Sequence, residues 1–115
     1  MASLTTQSLV AAGTAPTFSA AATTDYAEVG SGHDTFVVYR NTNGSTRTVT
    51  VEMDHVTLES GDAYPNKVYT LGATTGELHI PLRKIYADDA EAGVGRAVLL
   101  LSAATGVTVA VVRVG

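Results

Sequence analysis

The sequence predicts an all-β protein, either a small β-sandwich or a jelly-roll-like barrel, with an extended N-terminal arm. Threonine and valine, which both favour strands, together make up 32 of the 115 residues. No long segment repeats its apolar residues at the helical period, whereas short alternating segments are separated by regular turn signals. A chain of this length suits one domain with one modest core.

Residues 1–24 differ from the rest of the chain. They contain no charged side chain and are rich in alanine, threonine and serine, so they have little apolar surface to bury. A disordered tail and an arm that becomes ordered against a neighbouring subunit are both open interpretations. The absence of a basic segment and of a long apolar run predicts that this is not a cleaved signal peptide. We therefore expect an extended arm over 1–24 and a single β domain over 25–115.

The first strands of the domain are predicted to form a hairpin. Residues 35–40 are β-branched or aromatic and apolar on both faces, which is typical of a buried strand. Residues 41–45 contain an Asn-Gly pair, a strong turn signal. Residues 46–53 then alternate, with Val49, Val51 and Met53 on one face. This combination predicts two paired strands joined by the Asn-Gly turn.

The second half of the chain is predicted to hold four more strands. Pro81 cannot donate a main-chain hydrogen bond, so its strand is expected at a sheet edge. One helical turn is expected over 82–86 and an acidic loop over 87–95. The last two strands are predicted to pair as a second hairpin around 103–106. The four predicted strands are 67–71, 77–82, 97–101 and 107–114.

Charge and composition exclude several classes of protein. The formal net charge is -4, and the seven lysines and arginines are scattered along the chain, so we expect no nucleic-acid binding. The absence of cysteine excludes disulfides, iron–sulfur clusters and thiol nucleophiles. No apolar stretch approaches the ~18 residues that a membrane helix needs, so we expect no membrane partner. No segment predicts a cofactor.

The candidate catalytic groups are few and do not form a recognisable site. His33, His55 and His79 are spread along the chain without the short spacing of a metal-ligand pair, so surface histidines are expected rather than a shared zinc site. The Gly-x-Ser-x-Gly motif of a nucleophile elbow does not occur around Ser45, Ser60 or Ser102. We therefore expect that the protein is not an enzyme.

Two further features leave alternatives open. Asp88, Asp89 and Glu91 lie in one predicted loop without the spacing of an EF-hand, so we expect a solvated acidic loop. A weak calcium site and a contact to a basic partner are the alternatives. The five tyrosines could stack against sugar rings, although the chain has no tryptophan. A carbohydrate-binding β-sandwich therefore remains an alternative function.

Six segments together resemble a known family. In order, they are APTFSAA (15–21), FVVYRN (36–41), TVTV (48–51), VYTL (68–71), IYAD (85–88) and VTVAVVRV (107–114). Their order and spacing resemble those of the small head decoration, or cement, proteins of tailed bacteriophages. The resemblance covers most of the chain from about residue 4 onward. Residues 23–33 and the acidic run 88–91 depart from the pattern.

The resemblance implies a structural virion protein without catalytic or cofactor residues. It implies a compact β domain, often a homotrimer, that is made in the host cytoplasm and binds the major capsid protein on the outer capsid surface. Leu9, Val10, Pro16 and Phe18 are the residues of 1–24 that we expect to contact the partner, by adding a strand to a sheet edge. The alternatives within the virion are a tail-tube, head-completion or fibre-base protein.

Overall fold

The computed structural model describes residues 2–10, 13, 15–30, 32–53, 56, 59–61, 65–92 and 95–114. Two β-sheets pack face to face, which confirms the predicted all-β sandwich. A 3₁₀ turn at Lys84–Tyr86 and the short helix α1 at Asp89–Ala92 lie in the connection between the strand that ends at Pro81 and the strand that begins at Arg96. The strands are β1 (Ala2–Ser3), β2 (Thr6–Leu9), β3 (Ser19–Ala20), β4 (Thr24–Glu28), β5 (Thr35–Asn41), β6 (Arg47–Val51), β7 (Lys67–Leu71), β8 (Gly76–Pro81), β9 (Arg96–Leu101) and β10 (Val107–Val114).

The strand order differs from the order along the chain. The first sheet has the order β1-β4-β9-β6-β7, and the second has the order β2-β10-β5-β8, with β3 also paired to β10. Among the described strands, the pairs β1–β4 and β2–β10 are parallel and the others are antiparallel. Strands β7 and β8 therefore lie at edges on one side of the sandwich. The N-terminal strands lie at edges on the other side.

The core lies between the sheets and follows the predicted alternation. Val49, Val51 and Met53 are all at most 1% exposed, as expected for the inward face of β6 and the residues after it. Strand β5 lies between β10 and β8, and five of its seven residues are buried. The largest fully buried side chains are Tyr39, Met53, Leu71, Ile80, Leu82 and Leu99.

Both predicted hairpins are wrong. Strand β5 belongs to the second sheet and β6 to the first, and the same holds for β10 and β9. The connections at 42–46, 72–75 and 102–106 are therefore arches that carry the chain from one sheet to the other. Alternation tells which face of a strand is buried but not which strand lies beside it, so the turn signals were correct and the pairing was not.

Asn41 explains why the first turn crosses between sheets. Its side chain is 1% exposed, and its Nδ2 donates to the main-chain oxygens of Ser45 at 2.9 Å and Gly72 at 3.0 Å. Its Oδ1 accepts a hydrogen bond from the main-chain N–H of Asn43 at 3.0 Å. The carboxamide therefore fixes its own arch and joins it to the arch that follows β7.

The three arches also bond to one another through the main chain. The N–H of Thr42 donates to the oxygen of Gly106 at 2.9 Å, and the N–H of Thr74 donates to the oxygen of Asn43 at 2.7 Å. Thr74 has a φ of 66°, which is uncommon for a β-branched residue and indicates local strain. These bonds make a single rigid structure, the arch end, at one end of the sandwich.

The described residues of 1–24 lie along the edges of both sheets. Strand β1 pairs with β4 in the first sheet, whereas β2 and β3 both pair with β10 in the second. Leu4, between β1 and β2, is 8% exposed and belongs to the core. The segment thus folds on its own domain, and its ordering against a neighbouring subunit stays a prediction.

The remaining local predictions are largely confirmed. Strand β8 lies at a sheet edge, as the position of Pro81 predicted, and the helical turn expected over 82–86 is the 3₁₀ turn. The predicted acidic loop 87–95 instead contains α1, and Ala87 forms an isolated bridge to Ala97. Among the described residues, no helix has the length and hydropathy needed to cross a bilayer.

Candidate functional site

The four predicted contact residues lie at the end of β2 and in the segment between β2 and β3. Leu9 pairs with Val114 at the end of β2, and Val10, next to it, is 59% exposed. Pro16 and Phe18 are half-buried in the part that leads to β3. The structure therefore brings Leu9, Val10, Pro16 and Phe18 to the β10 edge of the second sheet; we call the described residues 9, 10, 13 and 15–18 the N-terminal loop.

Gln7 holds the two limbs of this loop together. Its Nε2 donates to the main-chain oxygen of Thr17 at 2.8 Å, and its Oε1 accepts from the N–H of Thr17 at 2.8 Å. The side-chain amide thus bonds both main-chain groups of Thr17, as the main chain of a neighbouring strand would. The sequence did not predict this role, because an isolated glutamine gives no indication of which main-chain groups its side chain will bond.

Phe18 is fixed by contacts to the outer face of the second sheet. The Arg40 guanidinium carbon lies 4.1 Å from the centre of the Phe18 ring, and Arg40 Nε also donates to Glu77 Oε1 at 2.7 Å. Glu77 Oε2 lies 3.0 Å from His79 Nε2, and the His79 ring stacks on Phe36 with centroids 5.9 Å apart. Hydrogen bonds from Arg40 and His79 lower the pKa of Glu77. This outer strip ties the N-terminal loop to β5 and β8.

A cleft of about 380 Å³ lies where the chain passes from β1 in the first sheet to β2 in the second. Its walls include Leu4, Gln7, Thr17 and Ala110, and none of its described lining residues is ionisable. The cleft therefore offers shape and hydroxyl groups but no acid, base or thiol. A shallower depression of about 270 Å³ at the arch end is lined by Arg40, Thr75 and Glu77, among others.

The histidines and serines of the described chain have structural or surface positions. His33 is exposed, His79 belongs to the outer strip, and His55 lies outside the described residues. Ser102 Oγ accepts the main-chain N–H of Thr48 at 2.9 Å. Neither described histidine belongs to a group of three potential metal ligands.

The acidic segment forms a carboxylate cluster that the sequence predicted only in part. Carboxylate oxygens of Glu52, Asp88 and Glu91 lie within 4.8 Å of one another. Asp89 instead accepts the N–H of Gly95 at 3.0 Å. Asp88 is 4% exposed, and its Oδ1 accepts the N–H of Glu91 at 3.2 Å, as in a helix cap. Oxygen ligands of this kind suit hard cations, but here Asp88 is engaged in starting α1.

The interior of the sandwich contains two polar side chains with incomplete hydrogen bonding. Asp25 is fully buried; its Oδ2 accepts the N–H of Ala22 at 3.0 Å, and its Oδ1 has no partner among the described residues. The Tyr39 hydroxyl is likewise buried without a partner there. Burial raises the pKa of both groups, and the charge of Asp25 raises the pKa of Tyr39 further. Neither group is accessible to a substrate.

The described tyrosines have different surroundings. Tyr39 is in the core and cannot stack on a sugar, and Tyr64 lies outside the described residues. Tyr69 and Tyr86 are half-buried; burial and the hydrogen bond between their hydroxyls raise the pKa of Tyr69 to about 12. Sugar binding by the tyrosines stays a prediction.

Family models, curated proteins and solved structures contain no match to this chain. The family resemblance therefore depends on the six sequence segments alone. Among the described residues, the geometry adds the N-terminal loop, the outer strip and several sheet edges as surfaces to which a partner has access.

Proposed function

We propose that the chain is a structural virion protein, a decoration protein that binds the outer surface of the major capsid protein shell of a tailed bacteriophage. The observation that carries this proposal is the N-terminal loop. It presents Val10, 59% exposed, between two short strands at an open edge of the sandwich. The resemblance of the six segments supplies the identity of the partner.

The short strands suit an arm that exchanges partners. Strands β1 and β3 have two residues each, and β2 has four part-buried residues. Such strands lose few contacts when they leave their own sheet and can regain main-chain hydrogen bonds on a neighbour's sheet edge. A homotrimer on the capsid would engage several loops at once, so modest contacts would give high total avidity. Binding only to the assembled shell would then stabilise the head by mass action.

The contact can be tested without removing the whole arm. Deleting residues 2–20 would also remove Leu4 from the core and uncover both sheets, so a loss of binding would be ambiguous. Val10→Asp changes only an exposed side chain, and Ser45→Asp, at an exposed position of the arch end, is its control for the added charge. We expect Val10→Asp to weaken binding to purified capsids that lack this protein by about tenfold, and Ser45→Asp to leave it within about twofold.

Sedimentation of the capsids with the bound protein measures both affinities. Equal binding by the two variants, or a loss caused by Ser45→Asp alone, would show that the N-terminal loop is not the contact. The number of copies per virion distinguishes a decoration protein from a completion or tail protein. Cryo-electron microscopy should show hundreds of copies on the outer shell, whereas a few copies at the portal or tail would indicate a completion or tail protein.

A further inference from the structure

Strand β7 presents main-chain groups that its own sheet does not use. On β6, the main chain of Thr48 faces β9: its N–H donates to Ser102 Oγ at 2.9 Å, and its oxygen accepts the N–H of Ser102 at 3.0 Å. Because main-chain direction alternates along a strand, the odd-numbered residues of β6 face β7 and bond their odd-numbered partners there. The N–H and C=O groups of Val68 and Thr70 therefore point out of the sheet.

This edge lacks the protection that its neighbour has. Val68 is 58% exposed, Thr70 is exposed, and β7 contains neither proline nor glycine. The adjacent edge strand, β8, ends at Pro81 and carries the Glu77–His79 pair on its outer face. An exposed five-residue edge with β-branched side chains is a ready template for an additional strand.

Among the described residues, two cations lie beside β7 without an acidic partner. Lys67 Nζ lies 5.4 Å from the centre of the Tyr69 ring, and Arg83 acts electrostatically on the same tyrosine. Arg47, opposite Leu71, is instead directed to the arch end: its Nε is buried and its guanidinium donates to the main-chain oxygen of Thr105 at 3.4 Å. Among the described residues, no carboxylate pairs with any of these three cations. In a chain of net charge -4, this edge is suited to an acidic partner.

We propose that the β7 edge binds an extended acidic segment of the capsid shell as an added strand of the first sheet; this rests on the proposed function. Main-chain bonds to Val68 and Thr70 supply the affinity, and Lys67 and Arg83 select carboxylates. A second copy of this chain fits less well. Antiparallel self-pairing would set Lys67 against the other copy's Leu71, with like-charged Arg47 only about 10 Å away.

A proline and an alanine at the same position test the main-chain contact. Thr70→Pro removes an outward N–H from β7, whereas Thr70→Ala removes the side chain and keeps that N–H. Neither change removes a hydrogen bond within the sheet, so both variants should fold. We expect Thr70→Pro to weaken capsid binding by about tenfold or more and Thr70→Ala to leave it within about twofold. Lys67→Glu with Arg83→Glu should also weaken binding and should remove its dependence on salt.

Hydrogen exchange gives a readout that does not depend on variants. On empty capsids of the major capsid protein, the amides of Val68 and Thr70 should gain protection, while those of Glu77 and His79 should not. Failure of the wild-type protein to bind capsids would overturn the proposed function. Wild-type binding without this protection, or equal binding by Thr70→Pro and Thr70→Ala, would overturn only the β7 proposal. Concentration-dependent protection without capsids would identify a second copy as the occupant and also contradict it.

Discussion

Asp25 is a carboxyl group in a place where water cannot solvate its charge. It is fully buried, and its Oδ1 has no hydrogen-bond partner among the described residues. Burial therefore raises its pKa above the ordinary value of 3.8. Between that value and the raised one, the folded state holds a proton that the unfolded chain has released. The free energy of unfolding consequently falls as pH rises through this window.

We predict that Asp25→Asn removes this pH dependence. The amide oxygen can still accept the N–H of Ala22, and the side chain cannot ionise. The free energy of unfolding of the wild type minus that of Asp25→Asn should decrease as pH rises above the ordinary pKa of 3.8 and should level off above the raised pKa. Urea denaturation at a series of pH values measures it. A difference that grows with pH would mean that the fold stabilises the Asp25 anion.

Residues whose role depends on a distant strand could not be identified from sequence. Phe18 was expected to contact a partner because it is a large apolar residue in a sparse segment. Its stacking against Arg40, and the Gln7–Thr17 pairing, depend on which strands β2, β3 and β5 meet. Glu52 joins the acidic cluster for the same reason. Residue type and local spacing predict burial, but contacts of this kind follow from topology.

At the scale of the element, the close approach of two arch residues decides the connection from β7 to β8. A Cβ on Gly76 would collide with the main-chain carbonyl of Gly72, whereas a Cβ on Gly44 would meet open space. We predict that Gly76→Ala lowers the free energy of unfolding by about 3 kcal/mol because the arch must shift. Gly44→Ala should change it by at most about 0.5 kcal/mol. Chemical denaturation of both variants provides the comparison; equal effects would show that the arch is not tightly packed.

The arches also explain how the strands were predicted while their pairing was not. Alternation located β5, β6, β7 and β8 to within a residue or two, because each strand buries one or both faces. Asn-Gly at 43–44 marks a turn whether the next strand returns in the same sheet or crosses to the other. The crossing is decided by Asn41, whose buried carboxamide needs the carbonyls of Ser45 and Gly72. Gly72 is 31 residues from Asn41, so the sequence alone does not indicate that the two residues meet.

For the whole molecule, the question is whether residues 2–20 unfold with the domain or before it. Among the described residues of this segment, only Leu4 is placed in the core, and the strands of the segment make short ladders at the sheet edges. Local opening of such edges costs less free energy than global unfolding. We predict that amides of residues 2–20 exchange hydrogen faster than those of Thr35–Asn41, which lie between two strands.

The variant Gln7→Ala separates local from global opening. It removes both hydrogen bonds to Thr17, so exchange over 2–20 should accelerate further while exchange over Thr35–Asn41 stays unchanged. Hydrogen-exchange mass spectrometry of the two proteins measures both segments at once. Equal protection of the two segments in the wild type would mean that 1–24 is an integral part of a single cooperative unit. In that case a boundary at residue 24 would be wrong, and capsid binding could not proceed through release of the arm.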